Sequence, residues 1–377
     1  MKNYFLCFLL LLIGLSSCQT NSKMFLFVGS YTDGEKKEGI YVYEFDLANG
    51  ELKEVEREGN LINPSFLAIS DNGKYLYACT ETRLQTPGSV SAFQIDTLTG
   101  KITFLNKQSA GGRNPVHLAV DKNNQYVVNS SYTDAGVSIF KTDADGRLNP
   151  YSKLLEFGEG SNIVEGRQEE SHVHSAHFSP DDEYLFAPDL GADKIRAFTF
   201  DESDQLIQVE NLDVNTQAGS GPRHFTFHPN HKFAYSIEEI SGQVVAYRYL
   251  NGQLELIDSY FAYSKEHEVY SSADIHISPD GKFLYASNRL TEENTIAIFK
   301  VDENTGQLVL VGHQSTFGDH PRNFVIDPTG AFLLVANMNS GNIVVFKRDQ
   351  KSGLLTKTAS EIQLEKPSSL QMRQYGK

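Results

Sequence analysis

Tryptophan is absent from this chain of 377 residues, which excludes the Trp-Asp repeat signature from the start. Cysteine is scarce. Two of the three cysteines, Cys7 and Cys18, fall in the first eighteen residues, and only Cys79 lies further in. No continuous apolar run is long enough to cross a bilayer comfortably, the longest being Tyr4 to Leu15. Positive charge is in deficit, with 33 Lys and Arg against 48 Asp and Glu and a formal net charge of −15. That balance argues against nucleic acid and other polyanions as partners, and for solubility.

The N-terminus reads as an address. Lys2, the short apolar run and then Leu15-Ser-Ser-Cys18 form a cleaved targeting segment, and its ending resembles a bacterial lipoprotein box. On that reading residues 1–18 are a signal ending at a lipidated Cys18, residues 19–23 a short linker, and residues 24–377 one domain. The protein then belongs to the cell envelope, periplasmic or membrane-anchored, and meets the membrane only through its lipid. Cys7 leaves with the signal, so Cys79 has no partner for an intramolecular disulfide. Removing residues 1–17 takes one lysine and no acid, which moves the formal charge from −15 to −16.

About 350 remaining residues exceed one ordinary core, so two domains or a repeat array are expected. A repeat is present. Ile40-Tyr-Val-Tyr43 recurs as Val90-Ser-Ala-Phe93, Val137-Ser-Ile-Phe140, Ile195-Arg-Ala-Phe198, Val244-Val-Ala-Tyr247, Ile296-Ala-Ile-Phe299 and Ile343-Val-Val-Phe346, with closing aromatics 50, 47, 58, 49, 52 and 47 residues apart. Hairpin dipeptides such as Asn49-Gly50, Thr99-Gly100, Asp145-Gly146 and Asn251-Gly252 follow most copies. Two earlier short strands also recur in each unit, as in His224-Phe-Thr-Phe-His followed by Phe233-Ala-Tyr-Ser-Ile237. Four strands at a period near fifty describe a propeller blade, and seven copies give an all-β, seven-bladed β-propeller of four-stranded antiparallel blades. The chain enters on a second-type strand, Phe25 to Tyr31, while an orphan first-type strand, Lys366 to Met372, stands at the other end. The C-terminal strand is therefore expected to complete the N-terminal blade, so that no sheet edge stays open at the seam. A ring closed on itself buries its core without a partner, and a monomer is expected.

In such meanders the start of each innermost strand and the end of the next meet on one face. Residues at those positions are Tyr31, Glu81, His117, Asn129, Tyr132, His172, His174, Asp189, Arg223, His224, Glu239, Asp274, Asn288, Arg289, Arg322 and Asn337. One mouth of the central channel is thus the expected ligand site. Plainer readings exist for several. His172 and His174 share one side of a strand and could hold a divalent ion with Asp189 or Glu239, but no third ligand is fixed and no metal site is assigned. His117 and His224 could bond backbone in the packed channel, and Asp274 could cap a turn. Arg223, Arg289 and Arg322 need anionic partners near the axis, and Glu239 is one. The widest gap, 58 residues, places an insertion at 157–170, just before the histidine pair. Acidic, Gly-rich and on the mouth side, it is a candidate lid.

The runs Gly29-Ser-Tyr-Thr32, Gly221-Pro-Arg-His224, Ala273-Asp-Ile275 with Ser278 to Arg289, and Pro321-Arg-Asn-Phe324 resemble the lactonase seven-bladed propeller family over essentially the whole mature chain. That family includes the bacterial propeller-type 6-phosphogluconolactonases and the fungal carboxymuconate lactonizing enzyme. The resemblance implies a catalytic group at His174, Arg223, Glu239 and Arg289. Substrate contacts are expected from Tyr31, His117, Tyr132, His172, Asp189, His224, Asp274, Asn288, Arg322 and Asn337. The chemistry implied is hydrolysis of a sugar lactone, 6-phosphogluconolactone or a related aldonolactone. Its tetrahedral oxyanion needs a positive donor already in place, and the attacking water needs a base. Arg223 and Arg289 suit the carbonyl oxygen and any phosphate or carboxylate. Glu239 or His174 would take the proton, and residue types alone leave both open. No Ser or Cys stands in an activating setting, so direct attack by water is expected over a covalent intermediate. No cofactor is called for, and activity is expected to survive chelation. An exported chain sits oddly with a cytoplasmic phosphogluconate route, so two other readings stay open: lactone formation from an unsaturated dicarboxylate, and a non-catalytic ligand-binding propeller.

Overall fold

The computed structural model describes residues 22–80, 85–202 and 205–376. The calls on Cys18, on the signal segment and on Glu81 lie outside the described residues. Seven antiparallel sheets are arranged in chain order. Their repeated composition explains why. Each strand is short, rich in β-branched and aromatic residues, and bounded by turn residues, so none makes a stable unit alone and each sheet buries both faces against its neighbours. Among the described residues the one helical element is a 3-10 turn, Glu210–Leu212.

Seven hydrophobic clusters make up the core, each built from two adjacent blades. Alternation within a strand divides its residues between them. On Phe283–Leu290 the side chains of Leu284 and Ala286 join the cluster shared with the fifth blade, while Phe283 and Tyr285 join the one shared with the seventh. Second and third strands are therefore apolar on both faces. The outermost strands, such as Leu52–Glu58, have one face exposed.

The hairpin dipeptides have a second task. Gly146, Gly306 and Gly353 take φ of +82°, +76° and +77°, a region open to glycine without steric penalty. An aromatic ring from the preceding blade lies flat against each, so that a Cβ on Gly353 would come within 2.3 Å of the Phe283 ring. Their carbonyls accept the hydroxyls of Tyr77, Tyr235 and Tyr285 at 3.1, 3.2 and 2.8 Å. Each turn thus locks to the blade before it.

Closure follows the expected route. Pro367–Tyr375 forms the innermost strand of the first blade and pairs antiparallel with Lys23–Ser30, from Lys23 opposite Tyr375 to Ser30 opposite Pro367. Six blades have four strands and the fourth departs from that count. Its outer strand is split into Leu206–Gln208 and Val214–Asn215, both paired with Lys194–Phe200. Its innermost strand is only His177–Phe178, and the preceding segment is tied on by an isolated bridge, Val173 to Asp189. The 157–170 insertion enters just ahead of that loosened strand.

Leu370 is 1% exposed at the seam between the first and last blades. Leu370→Ala is expected to cost about 2–5 kcal/mol in urea unfolding, against about 0.5 kcal/mol or less for Leu256→Ala on an exposed outer strand.

Candidate functional site

The mouth of the channel is shaped by a recurring backbone device. Five innermost strands begin with a residue before proline held at positive φ: Asn63 (41°), Asn114 (59°), Gly221 (64°), His320 (64°) and Lys366 (44°). Four of their carbonyls accept the N–H that ends the next strand, from Tyr132, Glu239, Met338 and Tyr31 at 2.9, 2.8, 2.9 and 3.1 Å. The ladder then slips just after the proline, between Pro115 and His117, Pro222 and His224, and Pro321 and Asn323. A bulge leaves its residue out of the pairing and turns its side chain aside. Arg223 and Arg322 are two of these bulge residues, and with His174, Ser65 and Ser368 they line the narrowest part of the channel.

Glu239 is the centre of the site. Its Oε2 accepts Arg223 Nε at 2.7 Å and Arg289 Nη2 at 2.8 Å, and its Oε1 accepts Arg167 Nη2 at 2.5 Å. Burial alone would raise its pKa, but the guanidiniums of Arg289, Arg223 and Arg167 outweigh that and hold the carboxyl well below the usual carboxylate range. The three arginines differ in freedom. Arg223 and Arg289 are 2% and 5% exposed, and each is also held by a backbone carbonyl, of Ala273 and of Ser272. Burial, with Arg289 beside it, lowers the Arg223 pKa to about 9. Arg167 is 37% exposed.

Arg167 comes from the 157–170 insertion, which is fastened down rather than loose. Gln168 is fully buried and its amide donates to Leu190 O at 2.8 Å and Asp193 Oδ1 at 2.7 Å. Glu159 and Glu170 pair across its base. The insertion is hydrogen-bonded to the fourth blade, and its Arg167 side chain reaches Glu239 on the fifth.

Beside this cluster lies a cavity of about 600 Å³, whose wall includes Tyr31, Asn63, Arg289, His320, Arg322 and Lys366. The Arg322 guanidinium stands 5.4 Å above the Tyr31 ring. His320 Nε2 accepts Arg289 Nη1 at 3.3 Å, and burial together with Arg289 and Arg322 lowers its pKa to about 3, so the ring is neutral. His174 sits lower, 5% exposed, with a buried Nδ1 that has no hydrogen-bond partner. Burial first, then Arg223, keeps it neutral. Tyr132 and His172 stack at 4.3 Å with their planes 1° apart, and His172 donates its Nδ1–H to Tyr132 O at 3.0 Å.

Other residues picked from strand ends stand elsewhere. Asp189 is fully buried, accepting Arg196 Nε at 2.8 Å and the Ser171 hydroxyl. Asn129 donates to Ser131 and Ser138, Asn288 to Ala262 O, and Asn337 to Thr316 O. These four are used inside the blades, not at the opening. His117, His224 and Asp274 lie one layer deeper than the bulge residues. They face a separate cavity of about 490 Å³ at the opposite end of the channel, together with His177 and His276. Asp274 accepts His224 Nδ1 at 2.8 Å and His276 Nε2 at 2.9 Å. Among the described residues no cluster of His, Cys, Asp and Glu is suited to hold a metal ion.

The structure thus brings together Tyr31, Tyr132, His172, His174, Arg223, Glu239, Arg289 and Arg322 on one side. Arg167, His320 and Lys366 join them and were not singled out from sequence. His320-Pro-Arg and Lys366-Pro-Ser repeat the form of Gly221-Pro-Arg, and that parallel is the signal that could have found the last two.

Comparison with known proteins gives a consistent result. A family model described as lactonase, 7-bladed beta-propeller, matches residues 25–372. A 6-phosphogluconolactonase of Formosa agariphila is 47% identical over 352 residues, 93% of this chain and 99% of the relative. One of Bacillus subtilis is 37% identical over 345 residues, 90% and 96% of the two chains. Among solved structures, the periplasmic gluconolactonase of Pseudomonas aeruginosa superposes with a TM-score of 0.87 at 33% identity, covering 94% of this chain and 99% of that one.

Asp189→Asn weakens a buried ion pair and leaves Arg196 without its counter-charge. The expected loss is about 3–5 kcal/mol of stability in denaturant unfolding. Ligand affinity of the folded fraction should stay unchanged, and a selective loss of affinity would return Asp189 to the site.

Proposed function

The chain belongs to the lactonase seven-bladed β-propeller family, and from that premise we propose that it hydrolyses a sugar lactone, 6-phosphogluconolactone or a related aldonolactone, at the mouth built around Glu239. The observation that carries this reading is a buried carboxylate shared by three guanidiniums beside an open cavity. A lactone carbonyl entering that cavity meets Arg289, whose planar fork can donate to the oxyanion of the tetrahedral intermediate. Arg322, on the same wall, takes an anionic substituent such as a phosphate. Tyr31, on the wall of that cavity, offers a flat face to the sugar ring.

Glu239 rather than His174 is the base in this scheme. His174 lies in a narrowing whose free volume is about 10 Å³, room for one water but not for a sugar. Glu239 is bonded directly to the arginine that lines the cavity. Its low resting pKa is no obstacle, because the negative charge moves from carboxylate to oxyanion inside one ring of guanidiniums, and the same cations serve both states. Water attacks the carbonyl carbon, its proton passes to Glu239, and collapse of the intermediate breaks the ring C–O bond as the proton returns to the leaving oxygen. His174 stays neutral and orients groups below without adding charge. No cofactor enters.

Glu239→Gln is expected to lower kcat for δ-gluconolactone and its 6-phosphate by about 10²–10⁴-fold with little change in KM, and His174→Asn by less. Because the Glu239 pKa is depressed, its ionised form persists as pH falls through the ordinary carboxylate value. Wild-type kcat/KM should therefore show no acid-side decline between about pH 8 and pH 5. The same pairing adds stability above the unfolded carboxyl pKa that is lost only as pH drops through the folded one. Undiminished turnover in Glu239→Gln would exclude this mechanism. Binding of the lactones without any turnover would instead make the protein a ligand-binding propeller.

The envelope is the proposed location, with residues 1–18 as a lipoprotein signal, residues 24–377 as one monomeric propeller, and Cys18 carrying the lipid. The N-terminal residue pattern supports it, and so does likeness to a relative described as periplasmic. Cells fed labelled palmitate should label the wild-type protein but not Cys18→Ala; equal labelling would refute the anchor.

A further inference from the structure

Of the three guanidiniums on Glu239, one differs in kind. Arg223 and Arg289 both bond Oε2 from buried strands, and each also donates to a backbone carbonyl, of Ala273 and of Ser272. Arg167 alone bonds Oε1, from an insertion outside the blade repeat, and its side chain is the exposed one. Its backbone is anchored by Arg167 N to Val164 O at 3.1 Å and by the buried Gln168 next to it. The side chain is therefore a long, partly exposed arm on a hydrogen-bonded backbone, and it covers the single carboxylate oxygen not occupied by a strand arginine.

We propose that Arg167 is a catalytic residue that moves with the negative charge, leaving Glu239 Oε1 for the substrate oxygen as Glu239 takes up the proton of the attacking water. The inference rests on lactone hydrolysis as proposed above. In the resting site Glu239 is the anion and draws Arg167. When water adds to the carbonyl carbon, the C=O electron pair becomes an oxyanion and the water proton neutralises Glu239. The attraction on Arg167 then transfers to the new anion. Collapse breaks the ring C–O bond and returns that proton to the ring oxygen, leaving a hydroxy acid. The acid loses its own proton to solvent, and its carboxylate needs a counter-ion beside a Glu239 that is charged again. Arg289 and Arg167 are the cations within reach of Glu239 that are not wholly enclosed. Arg167 so serves as oxyanion donor and as the partner of the product carboxylate.

Tyr132 fits the same scheme. Its hydroxyl is a further partner of Arg167, and its stacked His172 holds the ring in place. The guanidinium thus swings about a phenol that does not change charge in the reaction.

Arg167→Gln and Arg167→Lys separate this role from simple packing. For δ-gluconolactone, Arg167→Gln is expected to lower kcat by about 10²–10³-fold, the range for loss of one oxyanion donor, with KM changed by less than about 3-fold. Arg167→Lys should recover part of that loss. With one fewer cation on Glu239, the acid-side decline of kcat/KM should move upward in pH, a change that a purely structural residue would not produce. Calorimetric titration with gluconate, the carboxylate product, gives a readout without turnover, and affinity should fall about 10-fold or more in Arg167→Gln. Wild-type kcat in Arg167→Gln, or gluconate binding equal in both proteins, would overturn the proposal. Weakened gluconate binding with no lactone turnover in wild type would instead refute lactone hydrolysis while keeping Arg167 as the carboxylate partner.

Discussion

The pairing of Pro367–Tyr375 with Lys23–Ser30 is the constraint on which the other features rest. Each blade buries its two faces on neighbours, so an open array would leave an apolar face of the first blade and one of the last in water. Nine C-terminal residues remove both faces at once. Closure also fixes the channel. Once seven innermost strands surround one axis, the bulge after each proline points its residue toward the same narrow volume, and charges distant in sequence must share it. Arg223 and Arg322 are 99 positions apart and line one narrowing.

That crowding gives the site its electrical character. The chain carries a formal charge of −15, yet Arg167, Arg223 and Arg289 gather around one carboxylate. Enclosing such groups is expensive, and apolar residues of similar volume often hold a protein at least as well. The cluster is thus poorly explained as a stabilising device. It is well explained as a set of preorganised donors, because guanidiniums already fixed by Ala273 O and Ser272 O need no rearrangement when an oxyanion forms.

How much of this was legible follows from what repeats. The seven blades could be read because the copies make the same demands: a hairpin glycine at positive φ in all but the fourth, an apolar second strand, an aromatic closing the third. Arg223 and Glu239 could be read because they stand at the mouth ends of their strands, where the meander brings the start of one strand beside the end of the next. Single-residue orientation could not be read. Glu238 and Glu239 are adjacent, yet Glu238 turns into its blade to meet Ser236, and burial raises its pKa to about 7, while Glu239 turns into the mouth. Strand alternation makes one position the difference between core and opening, and the bulges shift that count. For this reason His117, His224 and Asp274 fall a layer below the bulge residues, and Asp189, Asn129, Asn288 and Asn337 turn inward. Arg167 was illegible on other grounds: it belongs to an insertion with no register against the repeat, and its reach to the fifth blade is purely tertiary.

The layer below the arginines separates the cavity beside Glu239 from the one at the far end of the channel, and so bears on which of them suits the proposed chemistry. Asp274 on the sixth blade accepts from His224 on the fifth at 2.8 Å and from Asn323 and the Phe324 N–H on the seventh at 2.5 and 3.1 Å. One buried carboxylate therefore staples three blades across the axis, and the void above it measures about 10 Å³. On the proposed reading substrate and product share one opening, lined by guanidiniums, while the far cavity is lined by imidazoles and Lys122. Imidazoles whose pKa burial has depressed, about 4 for His224 and about 3 for His177, bring no fixed positive charge at neutral pH. At the arginine end an oxyanion would meet several guanidiniums already in place, while the far cavity offers Lys122 and a His276 whose pKa, despite burial, is raised by Asp274.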